Sequence, residues 1–309
     1  MNLRQLKQFV TLAETGNFHK AAELMHMAQP PLSVSIRKLE EEMGGPLFLR
    51  TPVGVLLTAA GEAMLIDARQ TLAHAHQCQQ AVSAALHGEG GLLRMGFVGS
   101  ATYSLLPRLI PTFLKRYPKV EFDLAESTTA SILERLKAHT LDVGLVRYPV
   151  LHHGPFRLMT LEEDEFVVAV PAKSEFAKGT SIALVKLAQQ PFIMYAQTAV
   201  PNLFAVAMLR CQQSGFTPRV AQEAVQVQTI VSLVESGLGV ALVPGVAKRY
   251  VNRGVKFLTL SDGPKKPTGP GAGASSIGIA LATLDDNRSR LVETFSNHAK
   301  AVTASGSRQ

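Results

Sequence analysis

Leu3, Leu6, Phe9, Val10 and Ala13 recur at helical spacing until Gly16-Asn17 breaks the pattern. Asn17 can cap a second short helix whose apolar face is Phe18, Ala21, Ala22, Leu24 and Met25. After a break at 26–28, Gln29-Pro30-Pro31 opens a third helix, because first-turn N–H groups have no intrahelical acceptor for proline to deprive. Leu32, Ile36, Leu39 and Met43 line its inner face, and Gly44-Gly45 ends it. Leu47 to Leu49 and Val55 to Leu57 are two short apolar strands around Thr51-Pro52-Val53-Gly54, a small hairpin or wing. Thr58 then caps a long helix from Ala59 to Leu86. Its apolar positions outlast an average helix of ~11 residues, which suggests a connector that pairs with another chain.

His87 to Gly91 is the clearest linker, and beyond it the period changes. Strands at Leu92 to Val98, Val120 to Glu126 and Val143 to Val146 alternate with helices at Ser104 to Tyr117 and Ala130 to His139. That alternation predicts parallel βαβ units. The second half repeats the theme, with strands at Phe166 to Val170, Phe192 to Tyr195, Val220 to Glu223 and Val240 to Val243. Helices are expected at Leu203 to Ser214 and Val227 to Ser236, a loop at Lys265 to Ser275, then a strand at Ile277 to Thr283 and a closing helix at Asn287 to Ala299. Two α/β lobes in tandem imply a cleft between them, the usual place for a small ligand.

Composition narrows the function classes. With 309 residues, 46% of them hydrophobic, the chain supplies cores for two or three domains. A mean hydropathy of +0.13 is too apolar for a disordered chain, yet no apolar run approaches the ~18 residues of a membrane span. No export signal is visible, so the expectation is a cytoplasmic protein with no membrane partner. The net charge of +7 hints at a polyanionic partner. Residues 1–60, however, hold six basic and five acidic residues, so arrangement rather than net charge must identify a nucleic-acid surface.

The arrangement fits one, as it also fits any three-helix packing unit. A short supporting helix, a tight connection and a helix exposing Gln29, Pro30, Ser33, Val34 and Arg37 form a winged helix-turn-helix. Such a small, hydrogen-bonding face fits a major groove ~12 Å wide. The letters themselves, Ala21-Ala22-x-Leu24, Gln29-Pro30-Pro31-Leu32-Ser33, Ile36-x-x-Leu39-Glu40, Leu47-Phe48-x-Arg50 and Leu57-Thr58-x-Ala60-Gly61, closely resemble the N-terminal signature of LysR-type transcriptional regulators. Length, long helix and two-lobed remainder match the family as well.

The resemblance implies an α/β chain in three parts: a DNA-binding domain over 1–58, a dimerising linker helix and hinge over 59–90, and an effector-binding domain of periplasmic-binding-protein type over 91–309. Its lobe I would take about 91–164 and 268–300, and lobe II about 165–267. It further implies that Gln29, Pro30, Ser33, Ser35, Arg37 and Arg50 contact double-stranded promoter DNA. The expected partners are a second copy of the chain, in a homodimer assembling to a homotetramer, a small anionic or aromatic effector such as a benzoate- or muconate-like acid, and RNA polymerase. No cofactor is expected. Many members carry a basic residue at the places of Val34 and Val53; each lost phosphate contact removes ~0.9 from the slope of log K against log salt.

For the effector, strand ends that meet helix starts are the natural candidates: Gly99, Ser100, Ala101 and Thr102 after the first strand, Ser127, Thr128 and Thr129 before a helix, and Arg147 at a strand end. Hydroxyls and free N–H groups at helix N-termini suit a carboxylate, and arginine pairs with one. Pro201, Leu203, Val227, Thr229 and Ile230 would line the other lobe. The plainer alternative makes the hydroxyls N-caps and Arg147 a surface ion pair.

Other signals fail. His74, His76 and Cys78 do not share a helix face as a metal set, and Cys78 and Cys211 build no disulfide framework. His152-His153 has no ligand companion, and Gly269-Pro270-Gly271 neither follows a strand nor opens a helix. Ser236 lacks a nucleophile-elbow glycine, and Glu162 to Glu165 is expected to be a solvated turn. A transport solute-binding protein or a cleft enzyme would share the two lobes. Neither explains the DNA-reading module in front, and no catalytic set assembles.

Overall fold

The computed structural model describes residues 1–52, 54–87, 90–150, 154–249, 253–261 and 277–306. Val53, linker residues 88–89, His152-His153 and the loop around Gly269 lie outside them, as does the His76 side chain. The chain divides into two compact units, Met1–Gly88 with Lys137–Thr140, and Glu89–Leu136 with Leu141–Gln309.

The first unit begins with α1 (Leu3–Thr15), opened by a capping box in which Asn2 and Gln5 each accept the other's backbone N–H at 2.9 Å. α2 (Phe18–Leu24) is capped by Asn17, whose Oδ1 accepts from His19 N and Lys20 N at 2.8 and 3.2 Å. α3 (Gln29–Met43) has proline in its first turn and stops at Gly44 in the left-handed conformation. Leu6, Phe9 and Leu12 of α1 pack with Leu32, Ile36 and Leu39 of α3, all at most 3% exposed. Each such side chain contributes about 1.5–3 kcal/mol of burial.

β1 (Phe48–Thr51) and β2 (Gly54–Leu57) pair antiparallel as the wing. Glu40 Oε1 accepts from Leu47 N and Phe48 N at 2.9 and 3.1 Å, seating the wing on α3. Residue 54 must be glycine: its φ is +141°, and a Cβ there would stand 2.5 Å from the Gly16 carbonyl oxygen. α4 (Ala59–His87) starts where Thr58 Oγ1 accepts from Gly61 N at 3.0 Å. Arg69 pairs with Glu14 of α1 at 2.9 Å, and Ala68 and Ala73 are buried. Ile66 and Val82 are left 63% and 58% exposed.

The second unit is a two-lobed α/β domain. In the first lobe, β3 (Gly91–Phe97) runs parallel to β4 (Val120–Glu126) and β5 (Val143–Tyr148), with α5 (Leu105–Arg116) and α6 (Thr129–Lys137) as crossovers. β6 (Phe156–Asp164) and β13 (Ile277–Leu284) complete the sheet in the order β4-β3-β5-β13-β6, and α9 (Arg290–Gly306) packs against α5. Phe113 is the centre of its core, with the Phe295 and Phe122 rings 5.1 and 5.9 Å away.

The second lobe holds β7 (Phe166–Pro171), β8 (Ser181–Ile182), β11 (Ala241–Pro244) and β12 (Val255–Leu260) in the order β11-β7-β12-β8. Beside it β9 (Pro191–Tyr195) pairs parallel with β10 (Arg219–Ala224), and α7 (Pro201–Gln213) and α8 (Val227–Glu235) pack on this core.

Two expectations are corrected. The expected parallel units hold for β3 with β4 and β5 and for β9 with β10, but the sheets are mixed: β13 is antiparallel to β5 and β6, and β7 is antiparallel to β11 and β12. A parallel neighbour needs a crossover of about a dozen residues or more, whereas β6 runs into β7 through Glu165 alone, so the chain changes sheets there. Glu162 to Asp164 is also no solvated turn but the end of β6. Glu162 Oε1 accepts the Ser104 hydroxyl at 2.7 Å, and Asp164 accepts Val246 N at 3.3 Å. Their partners lie far away in sequence, which is why local charge patterning read this strand as solvent-facing. β6 and β12 were not anticipated as strands at all, having little apolar alternation to mark them.

Candidate functional sites

Two places collect the candidate residues, one in each unit. On α3, Gln29, Pro30, Val34 and Arg37 are exposed and Ser33 is half-buried on one continuous surface. Among the described residues Arg37 is held only by an i,i+4 pair with Glu41 at 3.7 Å, between two exposed side chains. Such a contact is worth a few tenths of a kcal/mol and leaves the guanidinium available. Arg50 is exposed on β1, its Cζ 5.3 Å from the centre of the Phe18 ring, which fixes the arginine stem without neutralising its charge.

Ser35 behaves differently. It is half-buried, and its hydroxyl donates to Gln8 Oε1, while Gln8 Nε2 donates to Met27 Sδ at 3.4 Å. Gln8 is 2% exposed, so this amide ties the turn before α3, and α3 itself, to α1. Sequence reasoning placed Ser35 on the outer face with Ser33. Two positions along a helix is about half a turn, which puts the two serines on different sides.

In the second unit a narrow cleft opens to solvent between the lobes, with an enclosed volume of about 30 Å³. The structure brings Gly99, Ser100, Ser127, Thr128, Thr129, Arg147, Leu203 and Val227 together in its lining. It does not bring in Ala101, Thr102, Pro201, Ile230 or the exposed Thr229. Ala101 is fully buried in the lobe core, Thr102 is exposed with its hydroxyl donating to Gly99 O at 2.6 Å, and Pro201 forms the first turn of α7 outside the lining. Ile230, too, is core. Val98, Val200, Val225 and Gln226 line the cleft and went unnoticed as ligand-facing positions, since as apolar or loop residues they carry no chemical signal of their own.

Arg147 dominates the site electrostatically. It is 2% exposed, which rejects the surface ion-pair alternative. Its Nη2 donates to the Ser100 hydroxyl; its backbone N donates to Thr129 Oγ1 at 3.0 Å, and its carbonyl accepts from Asn202 Nδ2 at 2.9 Å across the cleft. Nη1 stands 3.5 Å from Asp164 Oδ2 and makes no hydrogen bond within the described residues. Burial pushes the Arg147 pKa down, and Asp164, followed by Tyr195 and Glu162, opposes that shift. A buried guanidinium nitrogen without a hydrogen bond costs about 1–3 kcal/mol, and the ion pair with Asp164 at 3.5 Å offsets part of that cost.

Thr128 has two duties: its Oγ1 caps α6, accepting from Ser131 N at 3.3 Å, and it also faces the cleft. The capping alternative thus holds for Thr128 without removing it from the site. Elsewhere, burial pushes the Cys211 thiol up to about 12, which makes it an inert core group, and Cys78 is exposed. Among the described residues no cluster of His, Cys, Asp and Glu could hold a metal, and no helix is long and apolar enough to cross a membrane.

Comparison with known proteins bears on both sites. Residues 3–62 match the model of the bacterial regulatory helix-turn-helix protein, lysR family, and residues 86–304 match the LysR substrate binding domain. The chain is 37% identical over 257 residues to the HTH-type transcriptional regulator AlsR of Bacillus subtilis, covering 83% of this chain and 85% of that one. Full-length CbnR in complex with its target DNA superimposes with a TM-score of 0.74 at 25% identity, over 98% of this chain and 100% of CbnR. Full-length BenM superimposes with a TM-score of 0.59 at 27% identity, over 99% and 98% of the two chains.

Proposed function

This chain belongs to the lysR family of DNA-binding transcriptional regulators with an effector-binding domain, and is a regulator, not an enzyme; from that premise we propose how its own residues do the work. α3 enters the major groove of promoter DNA, with Gln29 and Ser33 meeting base edges, Pro30 packing against the groove wall, and Arg37 and Arg50 meeting phosphates. Ser35 positions α3 through Gln8 rather than touching DNA. The exposed Ile66 and Val82 on α4 support pairing with a second copy of the chain, and a homotetramer as the working assembly, acting in the cytoplasm with RNA polymerase as a further partner. In this reading, residues 1–58 bind DNA, 59–90 link and dimerise, and 91–309 bind the effector.

The effector is a small carboxylate held between the lobes. The observation that carries this is the buried Arg147, which lines the cleft and whose Nη1 makes no hydrogen bond among the described residues. Binding there favours one arrangement of the domain over another by the difference in affinity for the two, and promoter occupancy follows that equilibrium. Footprinting on DNA next to the protein's own gene tests the DNA half of the proposal. A twofold-symmetric protected region is expected, with half-sites an integral number of turns apart, about 34–36 Å per turn. Absence of selective protection at every salt concentration would reject it.

A further inference from the structure

The cleft has a second polar end, opposite in character to Arg147. Gly99 lines it, and a Cβ on residue 99 would stand 2.5 Å from Glu126 Oε1 and 2.8 Å from Gln226 Oε1. Both side chains therefore converge on the bare glycine at the rim. Glu126 ends β4 next to Ser127, another lining residue; its side chain is exposed at the rim, outside the lining itself, and makes no hydrogen bond or ion pair among the described residues. Whichever way the Gln226 amide is turned, the Glu126 carboxylate has no cation beside it among the described residues.

The charges around the cleft are thus Arg147 in the depth, already shared with Asp164, and a solvated carboxylate at the rim with no ion pair among the described residues. Between the two ends the apolar walls are Val98, Val200, Leu203, Val225 and Val227, beside Ser127, Thr128 and Thr129, and among the described residues no aromatic side chain lines the cleft. A ligand with carboxylates at both ends would satisfy Arg147 and be repelled by Glu126. An aromatic acid would find no ring to stack on.

We propose that the cleft takes a short aliphatic monocarboxylate whose far end bears a hydrogen-bond donor, a hydroxyl or an ammonium, with Arg147 and Ser100 holding the carboxylate and Glu126 with Gln226 holding the donor. This rests on the carboxylate reading of Arg147 given above and adds the identity of the other end.

Calorimetry on the full-length protein tests it with linear acids of four, five and six carbons, each ending in methyl, hydroxyl, ammonium or a second carboxylate. At the best chain length the hydroxyl- or ammonium-ended acid is expected to bind about tenfold tighter or more than the methyl-ended and dicarboxylate partners. The contrast between hydroxyl and ammonium separates the two donors, a gain for ammonium marking charge pairing with Glu126. Glu126→Gln should erase an ammonium preference and admit the dicarboxylate. Gly99→Ala should weaken all donor-ended acids by filling the space between the two oxygens. Dicarboxylates binding as well as donor-ended acids, unchanged by Glu126→Gln, would overturn the assignment of the rim and leave the carboxylate reading intact. Failure of every acid to bind would overturn both.

Discussion

The DNA-reading face and the effector cleft are built in opposite ways. The face lies on one helix and the wing beside it, within some twenty consecutive positions, Gln29 to Arg50. The cleft is assembled from segments near positions 98, 127, 147, 200 and 226, brought together only by the sheet register. The first is polar, exposed and shaped by local caps; the second depends on a buried cation whose partners lie far from it in sequence. A DNA surface needs solvated side chains on a rigid support, whereas a small-ligand site needs desolvated groups held in a fixed geometry. Local substitutions should therefore wound the first unit mildly, and core substitutions should wound the second severely.

The largest effect is expected in the lobe core. Phe113 is fully buried among Tyr117, Phe122 and Phe295, so Phe113→Ala should cost about 3–5 kcal/mol in denaturant unfolding. A loss below about 1 kcal/mol would mean that the lobe repacks and that its geometry is less fixed than the cleft requires. Next comes Asn17→Ala, which strips the cap from α2 and should destabilise the first unit by about 1 kcal/mol. A change as large as that of Phe113→Ala would erase the contrast between the units. The smallest effect is Val34→Arg, which adds a cation to the exposed face and should steepen the slope of log K against log salt by about 0.9 without changing fold stability. An unchanged slope would place residue 34 away from the phosphates.

The same contrast explains what was legible in the sequence. The caps at Asn17 and Gly44, the proline opening of α3 and the apolar rows of α1 and α3 are local signals, and each element appears where those signals put it. Ser35 escaped because its role depends on Gln8, which sits on another helix. Arg147, Ser100 and Thr128 stood out through residue type at strand ends, yet the pairing of Arg147 with Asp164 was hidden, because Glu162 to Glu165 looks like a solvated acidic run when read alone. β6 and β12 were missed for a related reason: their partners β13 and β7 supply the register, and neither strand alternates clearly. Thr102 and Ala101 have the right residue types or neighbours, but the turn at Gly99–Tyr103 sends one outward and the other into the core.

The account's central claim is that occupation of the Arg147 site governs DNA binding by α3. The direct test is the affinity of the full-length protein for its footprinted operator, measured with and without the linear acid that binds best by calorimetry, in the native protein and in Arg147→Gln. The predicted result is an operator affinity or footprint that shifts on adding the acid in the native protein, and no shift in Arg147→Gln, whose ligand-free operator affinity stays as before. An equal shift in both proteins, or a variant that loses operator binding without any acid present, would contradict it.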